Sequence, residues 1–452
     1  MISPENDMRL ASYVLIEPHP SQAGWVVFKN LVSGRDFTLP EDRVGMSPFG
    51  SKADYTTRQF LIAEGFLATA EKEESFIQAR LNQLAYGCPD YTARAVLNPT
   101  MKCQLACVYC SQGAVRQVDK PAVSPEKIAN QMAERLGRLP AKRWSITLSG
   151  GGEPFSAQNW ALDVLTALRD HANRQGVKLV VKAVTNGTHN IASILDEYDS
   201  NGISIEALAI TDDGPDHDQL RPFANGKPSR HVVHQTIRQI AGRPKTRLVV
   251  NTNLPKPGAK TPEMIFDYYQ RTLRQVKELG ASQASFAFLM EEVPIGEPGQ
   301  LKGKYLADTP ELAELTIKLA DLIFTMGLST DMSGHTGVNC SSFQSSMAGA
   351  FDSAGNVGFC SGVMEGDLMK DPLSPEARKF DFRFGTGQEA WRTHCKQEDG
   401  RWCPYLLSVC NFGGCRLPAI AEGYDWSGTV ACNFNVFDAI MRQHLKKRYL
   451  KK

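Results

Sequence analysis

The sequence predicts an α/β protein: a partial (β/α)6 TIM-type barrel behind a small α+β module and ahead of a cysteine-rich domain. Three observations carry this. Between residues 93 and 330, six apolar runs of strand length alternate with helical stretches. Residues 1–92 read instead as strands followed by helices. From 331 to 452 the chain turns to Cys, Gly, Ser and Asn with little periodicity.

In the first segment, YVLIEP and GWVVFKNLVSGRDFTLP read as strands, with SGRD as a turn inside the second run. RQFLIAEGFLATAE and EESFIQARLNQLAYG place apolar residues three and four apart and read as helices. In the second segment the strand runs are ARAVLN, WSITLSG, KLVVKAVTNG, IEALAITDDG, RLVVNTN and ASFAFLM. Three helices begin with a hydroxyl cap, a proline and a glutamate: Ser124-Pro125-Glu126, Thr261-Pro262-Glu263 and Thr309-Pro310-Glu311. Strands alternating with helices imply a parallel sheet with right-handed crossovers, curled into part of a barrel, with its ligand at the carboxyl ends of the strands.

The 452 residues suit two or three domains. A net charge of +1, from 50 basic and 49 acidic residues, points to neither nucleic acid nor a membrane surface. No apolar run is long enough to span a bilayer, and the start has no basic region followed by an apolar one, so a cytoplasmic protein without a signal peptide is expected. The tail LKKRYLKK is locally basic, as a solvated end or a contact for an acidic peptide. Eleven cysteines in a reducing compartment call for metal or cluster ligation.

Three of them, Cys103, Cys107 and Cys110, lie on one loop after the first barrel strand. Three thiolates can hold three corners of a [4Fe–4S] cube and leave the fourth iron to a small molecule. A structural zinc would want a fourth ligand, and no Cys or His occurs between 111 and 170. The next strand ends in Ser149-Gly150-Gly151-Gly152-Glu153-Pro154, where glycines let backbone approach a ligand. A carboxylate there can accept from an ammonium. The third strand ends in Thr185-Asn186-Gly187, the fourth in Thr211-Asp212-Asp213-Gly214-Pro215 followed by His217-Asp218-x-x-Arg221.

The Cys-x3-Cys-x2-Cys loop with an aromatic, Tyr109, before its last cysteine resembles that of the radical S-adenosylmethionine (SAM) superfamily. The resemblance covers residues 95 to 290. It implies that the open iron chelates SAM and that an electron from the cluster cleaves it to methionine and a 5′-deoxyadenosyl radical. It also implies that Tyr109, Gly151, Gly152, Glu153, Pro154, Asn186, Thr211 and Arg221 contact SAM. Glu153 would meet its amino group, Thr211 its ribose and Arg221 its polar groups. Asp213 and Asp218 read as loop-ordering, and Asn253, at the end of the fifth strand, could face the same cavity.

Seven further cysteines follow: Cys340, Cys360, Cys395, Cys403, Cys410, Cys415 and Cys432. Their order resembles a SPASM domain, the extension of many peptide-modifying radical SAM enzymes, although every gap in the central run is wider. The resemblance implies two auxiliary [4Fe–4S] clusters, making three in all. One would sit on Cys340, Cys360 and Cys415, with Asp331, His335 or substrate as fourth ligand, or with that site left open. The other would sit on Cys395, Cys403, Cys410 and Cys432. The alternative from the residues themselves is a four-thiolate zinc site on Cys403, Cys410, Cys415 and Cys432. Cys88 matches neither pattern and reads as a buried free thiol.

The resemblance implies a maturase of a ribosomally made (RiPP) precursor peptide that forms a carbon–carbon or thioether crosslink, with a flavodoxin or ferredoxin as reductase. The runner-up oxidises or crosslinks a residue of an enzyme subunit, as sulfatase and quinohemoprotein maturases do. Sulfatase maturases typically carry an Asp where this chain has Ser361. The N-terminal strands and helices are similar to winged-helix leader-recognition (RRE-like) modules. A plain packing extension fits them equally. Glu291, Glu292, Asp331 and His335 are catalytic candidates by position alone.

Overall fold

The computed structural model describes residues 8–31, 33, 35–43, 55–86, 92–110, 122–255, 258–289, 310–329, 347–358 and 442. The N-terminal module comprises β1 (Arg9–Leu10), β2 (Val14–Pro18), β3 (Trp25–Asn30), β4 (Asp36–Pro40), α1 (Tyr55–Ala63), β5 (Leu67–Ala68) and α2 (Ala70–Tyr86). Strands β2, β3 and β4 form an antiparallel meander, the turn falling where SGRD predicts it. Val14, Val26 and Phe28 share a core with Leu61, Phe66 and Leu67. Phe37 stacks on Phe28 at 4.8 Å. The single helix expected over 58–71 is interrupted. Gly65 takes φ +71, a conformation that ends helices, and Leu67–Ala68 pairs antiparallel with Arg9–Leu10. Buried Phe66 and Leu67 anchor that turn. Arg442 reaches the module from the far end of the chain, donating to the Ile16 carbonyl at 3.3 Å and pairing with Glu17.

The barrel follows as β6 (Thr92–Asn98), α3 (Pro125–Gly137), β7 (Arg143–Leu148), α4 (Gln158–Arg174), β8 (Lys178–Thr185), α5 (Ile191–Ser200), β9 (Ile205–Thr211), α6 (His217–Leu220), α7 (Arg230–Ala241), β10 (Arg247–Leu254), α8 (Pro262–Glu278), β11 (Gln283–Phe288) and α9 (Pro310–Thr325). Ser124 and Thr261 cap their helices as read, accepting from the N–H groups of Lys127 and Met264. Thr309 lies outside the described residues.

The sheet differs from expectation by one hairpin. Its order is β11-β10-β9-β8-β7-β6-β12-β13, adding β12 (Met347–Asp352) and β13 (Val357–Gly358). Strand β12 runs parallel to β6, with Ala350 opposite Val96, so the sheet gains a seventh parallel strand from beyond residue 330. Among the described strands of this sheet, only β13 is antiparallel.

Alternate residues face outward onto the helices: Ala93, Ala95 and Leu97 on β6, Trp144, Ile146 and Leu148 on β7, Leu208 and Ile210 on β9. They pack with Ile128, Met132, Leu165 and Ile237 in one core. Fully burying each of the Leu, Ile and Met side chains contributes about 1.5–3 kcal/mol. The same alternation turns Thr147, Val184, Thr211, Asn251, Asn253 and Ser285 to the other, concave face, where they are not fully buried. Among the described residues, no helix is long and apolar enough to cross a membrane.

Candidate active site at the carboxyl ends of the barrel strands

The loop after β6 carries the three cysteines, all half-buried. It is zipped onto the segment after α6. The Ala106 N–H donates to the Pro222 carbonyl at 2.8 Å, Val108 to Leu220 at 3.0 Å, and Ala224 to Gln104 at 2.8 Å, with an antiparallel bridge between Leu105 and Phe223. The Cys-x3-Cys-x2-Cys run and the stretch holding Arg221 are therefore one structural unit.

The glycine turn after β7 presses on the same loop. A Cβ at Gly152 would lie 2.4 Å from the Lys102 carbonyl oxygen and 2.5 Å from that of Thr100. Gly150 has φ +145, and a Cβ there would strike Asn98. Gly151 and Pro154 are buried beside them. The Glu153 N–H donates to the Lys102 carbonyl at 2.7 Å.

The Glu153 carboxylate is buried and already occupied by protein donors. It accepts from the Asn186 N–H at 2.6 Å, the Thr185 hydroxyl at 2.7 Å and the Phe155 N–H at 3.2 Å. Burial pushes its pKa up to about 7, against the pull of those donors and of Arg221. The described geometry thus makes Glu153 a brace between the ends of β7 and β8.

Two polar clusters flank the cysteines. Beside Cys110, the Tyr109 hydroxyl donates to Asp213 Oδ2 at 2.6 Å and accepts from Arg221 Nη1 and Asn253 Nδ2, each at 2.9 Å. Asp213 Oδ1 accepts from the Asn253 backbone N–H at 2.9 Å. Burial raises the Tyr109 pKa far above the usual phenol range. Arg221 stays charged despite burial, held by Tyr109, Cys107 and Asp213. Its Nε is buried with no hydrogen-bond partner among the described residues.

Beside Cys103, Asn186 Nδ2 donates to Cys103 Sγ at 3.4 Å and to Gln104 Oε1 at 3.3 Å. Gln104 Nε2 donates to Ser156 Oγ at 2.6 Å and lies 2.8 Å from His189 Nε2.

Behind the site, the ionised carboxylate of Asp212 gathers His217, His234 and Arg230, which hold its pKa well below the carboxylate range against burial. Asp218 caps α7 by accepting from the N–H groups of Ser229 and Arg230. Both Asp213 and Asp218 order loops, as read. Thr211 is half-buried, opposite Asn251 in register. Sequence reasoning missed Gln104, Ser156 and His189. A histidine two residues after the Thr-Asn-Gly turn was the one available signal. Cys88, Glu291, Glu292, Asp331, His335, Cys340, Cys360, Ser361, Cys395, Cys403, Cys410, Cys415 and Cys432 lie outside the described residues.

The donor set suits a cubane held on Cys103, Cys107 and Cys110. Among the described residues, no three acidic, His or Cys side chains converge on a single ion. A cubane does not need that, because each thiolate takes its own iron. Gly152 leaves the loop its room, and the Arg221 cation lies within electrostatic reach of Cys107. When bound and reduced, such a cluster supplies the electron that cleaves SAM to the 5′-deoxyadenosyl radical. The chain's own part is to fix the thiol loop against two strand ends and to leave the concave face open to substrate.

A parallel barrel with a three-thiol loop across its strand ends is the architecture of an enzyme that uses an open-cornered iron–sulfur cluster. Residues 97–268 match the Radical SAM superfamily, so the barrel is a radical SAM domain. Among solved structures, the chain is similar to anSMEcpe with bound AdoMet (TM-score 0.54, 16% identity, covering 80% of this chain and 98% of that one). It is also similar to anSMEcpe with bound AdoMet and Cp18Cys peptide (TM-score 0.53, 16% identity, 80% and 98%). Streptococcus suis SuiB bound to S-adenosylmethionine aligns over 94% of this chain and 99% of that one, with TM-score 0.47 and 16% identity. No curated protein matches the chain.

Proposed function

We propose that the protein is a peptide maturase of the SPASM branch. The observation that carries this reading is the zipper between the cysteine loop and residues 220–224, which overlap the end of the His217-Asp218-x-x-Arg221 stretch that resembles the peptide-modifying branch. Asn253, from β10, joins that unit through Tyr109. The fold is shared with anSMEcpe, which holds AdoMet together with a peptide.

In this reading the substrate is a ribosomally made precursor. The 5′-deoxyadenosyl radical takes one hydrogen atom from a side-chain or α carbon and becomes 5′-deoxyadenosine. The carbon radical then closes a carbon–carbon or thioether bond. The second hydrogen leaves as a proton, and its electron passes to auxiliary clusters on the seven C-terminal cysteines. A flavodoxin or ferredoxin would re-reduce the cluster that cleaves SAM. The edge strand β4 offers backbone groups to which a leader can add as a further strand.

The test is anaerobic reconstitution followed by incubation with SAM, reductant and short peptides encoded beside the gene. Iron content of about 12 per chain would match three cubanes. A peptide product lighter by two hydrogens, formed with 5′-deoxyadenosine, supports the reading. Production of 5′-deoxyadenosine with about 4 irons and bound zinc would keep the radical chemistry and reject the SPASM assignment.

A further inference from the structure

Asn186 stands out because every polar atom of its side chain has a fixed partner. Its Oδ1 accepts from the Thr188 backbone N–H at 2.9 Å and from the Thr188 hydroxyl at 2.7 Å. A backbone N–H can only donate, so the amide orientation is settled without assuming anything about its other neighbours. The Nδ2 group must then face the opposite way, where it meets Cys103 Sγ at 3.4 Å and Gln104 Oε1 at 3.3 Å.

The same logic runs one residue further. Gln104 Oε1 receives Asn186, so its Nε2 points at Ser156 Oγ and His189 Nε2. Two amide hydrogens meet two acceptors, and His189 Nε2 accepts. Burial lowers the His189 pKa, which agrees with a neutral ring carrying its proton on Nδ1. Ser156 Oγ also lies 3.1 Å from His189 Nε2, so the three side chains form a closed group. The chain from Thr188 through Asn186 and Gln104 to Ser156 and His189 holds one N–H on one cysteine sulfur.

We propose that Asn186 is the hydrogen-bond donor that tunes the SAM-cleaving cluster through Cys103, and that Gln104, Ser156 and His189 are positioning residues for it. An N–H aimed at a ligating sulfur stabilises the more negative, reduced cluster and raises its potential. The amide of Asn186 is thereby assigned to sulfur rather than to SAM. The assignment needs only the cluster on Cys103, and holds whatever the substrate proves to be.

The experiment is a redox titration followed by electron paramagnetic resonance on reconstituted full-length protein. The signal that changes on adding SAM reports the barrel cluster. Asn186→Ala is expected to shift its reduction equilibrium about tenfold toward the oxidised form, about 59 mV for one electron. Gln104→Ala is expected to shift it in the same direction by less, because Asn186 keeps its Thr188 anchor. Binding of SAM, followed by the change in that signal against SAM concentration, is expected to stay near wild type in Gln104→Ala. Should Asn186→Ala fail to take up iron, Asn186→Asp keeps the Thr188 acceptor and loses both donors, and a larger negative shift is expected because its carboxylate adds charge beside the sulfur. Unchanged potentials in the variants that load would overturn the proposal. So would a variant that loses SAM affinity while its potential stays put, because that outcome returns Asn186 to the SAM site.

Discussion

The two flanks of the cysteine loop are built from different chemistry. On the Cys110 side, Tyr109, Asp213 and Arg221 make a buried, charged knot. On the Cys103 side, Asn186, Gln104, Ser156 and His189 are neutral amides, a hydroxyl and a ring held neutral. Buried charges are costly to unpair, so the first flank locks the loop. Neutral donors lose less when one is removed and can adjust a sulfur without dismantling the site. One side secures the cluster and the other sets its properties.

The sharpest break of this comparison removes the loop's chemistry altogether. Changing Cys103, Cys107 and Cys110 together to Ala should lose about 4 irons per chain and all 5′-deoxyadenosine production. Iron analysis and product chromatography check it. Next comes Gly152→Ala. Its Cβ would meet backbone at 2.4–2.6 Å rather than a side chain that can turn away. The loop must move, at a cost of about 3 kcal/mol. The expected result is loss of both flanks at once, read as failed iron loading with the rest of the fold intact by circular dichroism.

Glu153 belongs to neither flank but is tied to both, by a hydrogen bond from the Asn186 N–H on one side and by the electrostatic pull of Arg221 on the other. Its folded pKa of about 7 lies above the ordinary 4.5. A carboxyl raised on folding binds its proton more tightly in the native state. Its contribution to stability is therefore full below pH 4.5 and is lost as pH rises through 7. The shift is worth about 3 kcal/mol across that window. Thermal midpoints measured from pH 5 to 8 should fall in wild type and be flatter in Glu153→Gln, which cannot titrate. Equal slopes would mean that Glu153 keeps an ordinary pKa.

Much of this site could be read before the structure, and the reason is locality. Each barrel strand is a short apolar run, and each motif sits at the end of its own strand, so periodicity and turn residues announce them. Two parts had little or no local signal. Strand β12, MAGAFD, is short, lies in a cysteine-rich stretch, and pairs with β6 from the other end of the barrel. The Gln104–Ser156–His189 group joins residues 52 and 85 apart in the chain, none of them a defining position of a motif. Such contacts exist only once the strand ends are brought together. The break at Gly65 lay within sight, but the apolar spacing of Phe60, Leu61, Phe66 and Leu67 reads as helix until Leu67 is claimed by β1.

One substitution on each side separates the flanks quantitatively. Tyr109→Phe removes one hydroxyl and leaves Asp213 Oδ2, Arg221 Nη1 and Asn253 Nδ2 each short of a partner. Stranding buried charged groups should cost about 2–3 kcal/mol. His189→Ala on the other flank leaves Ser156 as acceptor for the Gln104 amide and strands one neutral N–H, for about 1 kcal/mol. Denaturant midpoints on the two reconstituted variants compare the costs directly. The redox readout should rank them oppositely. His189→Ala acts on the relay to Cys103, so its potential should move in the direction expected for Gln104→Ala and by less. If His189→Ala proves the more destabilising of the two, the neutral flank is bearing the loop, and the division of labour drawn here is wrong.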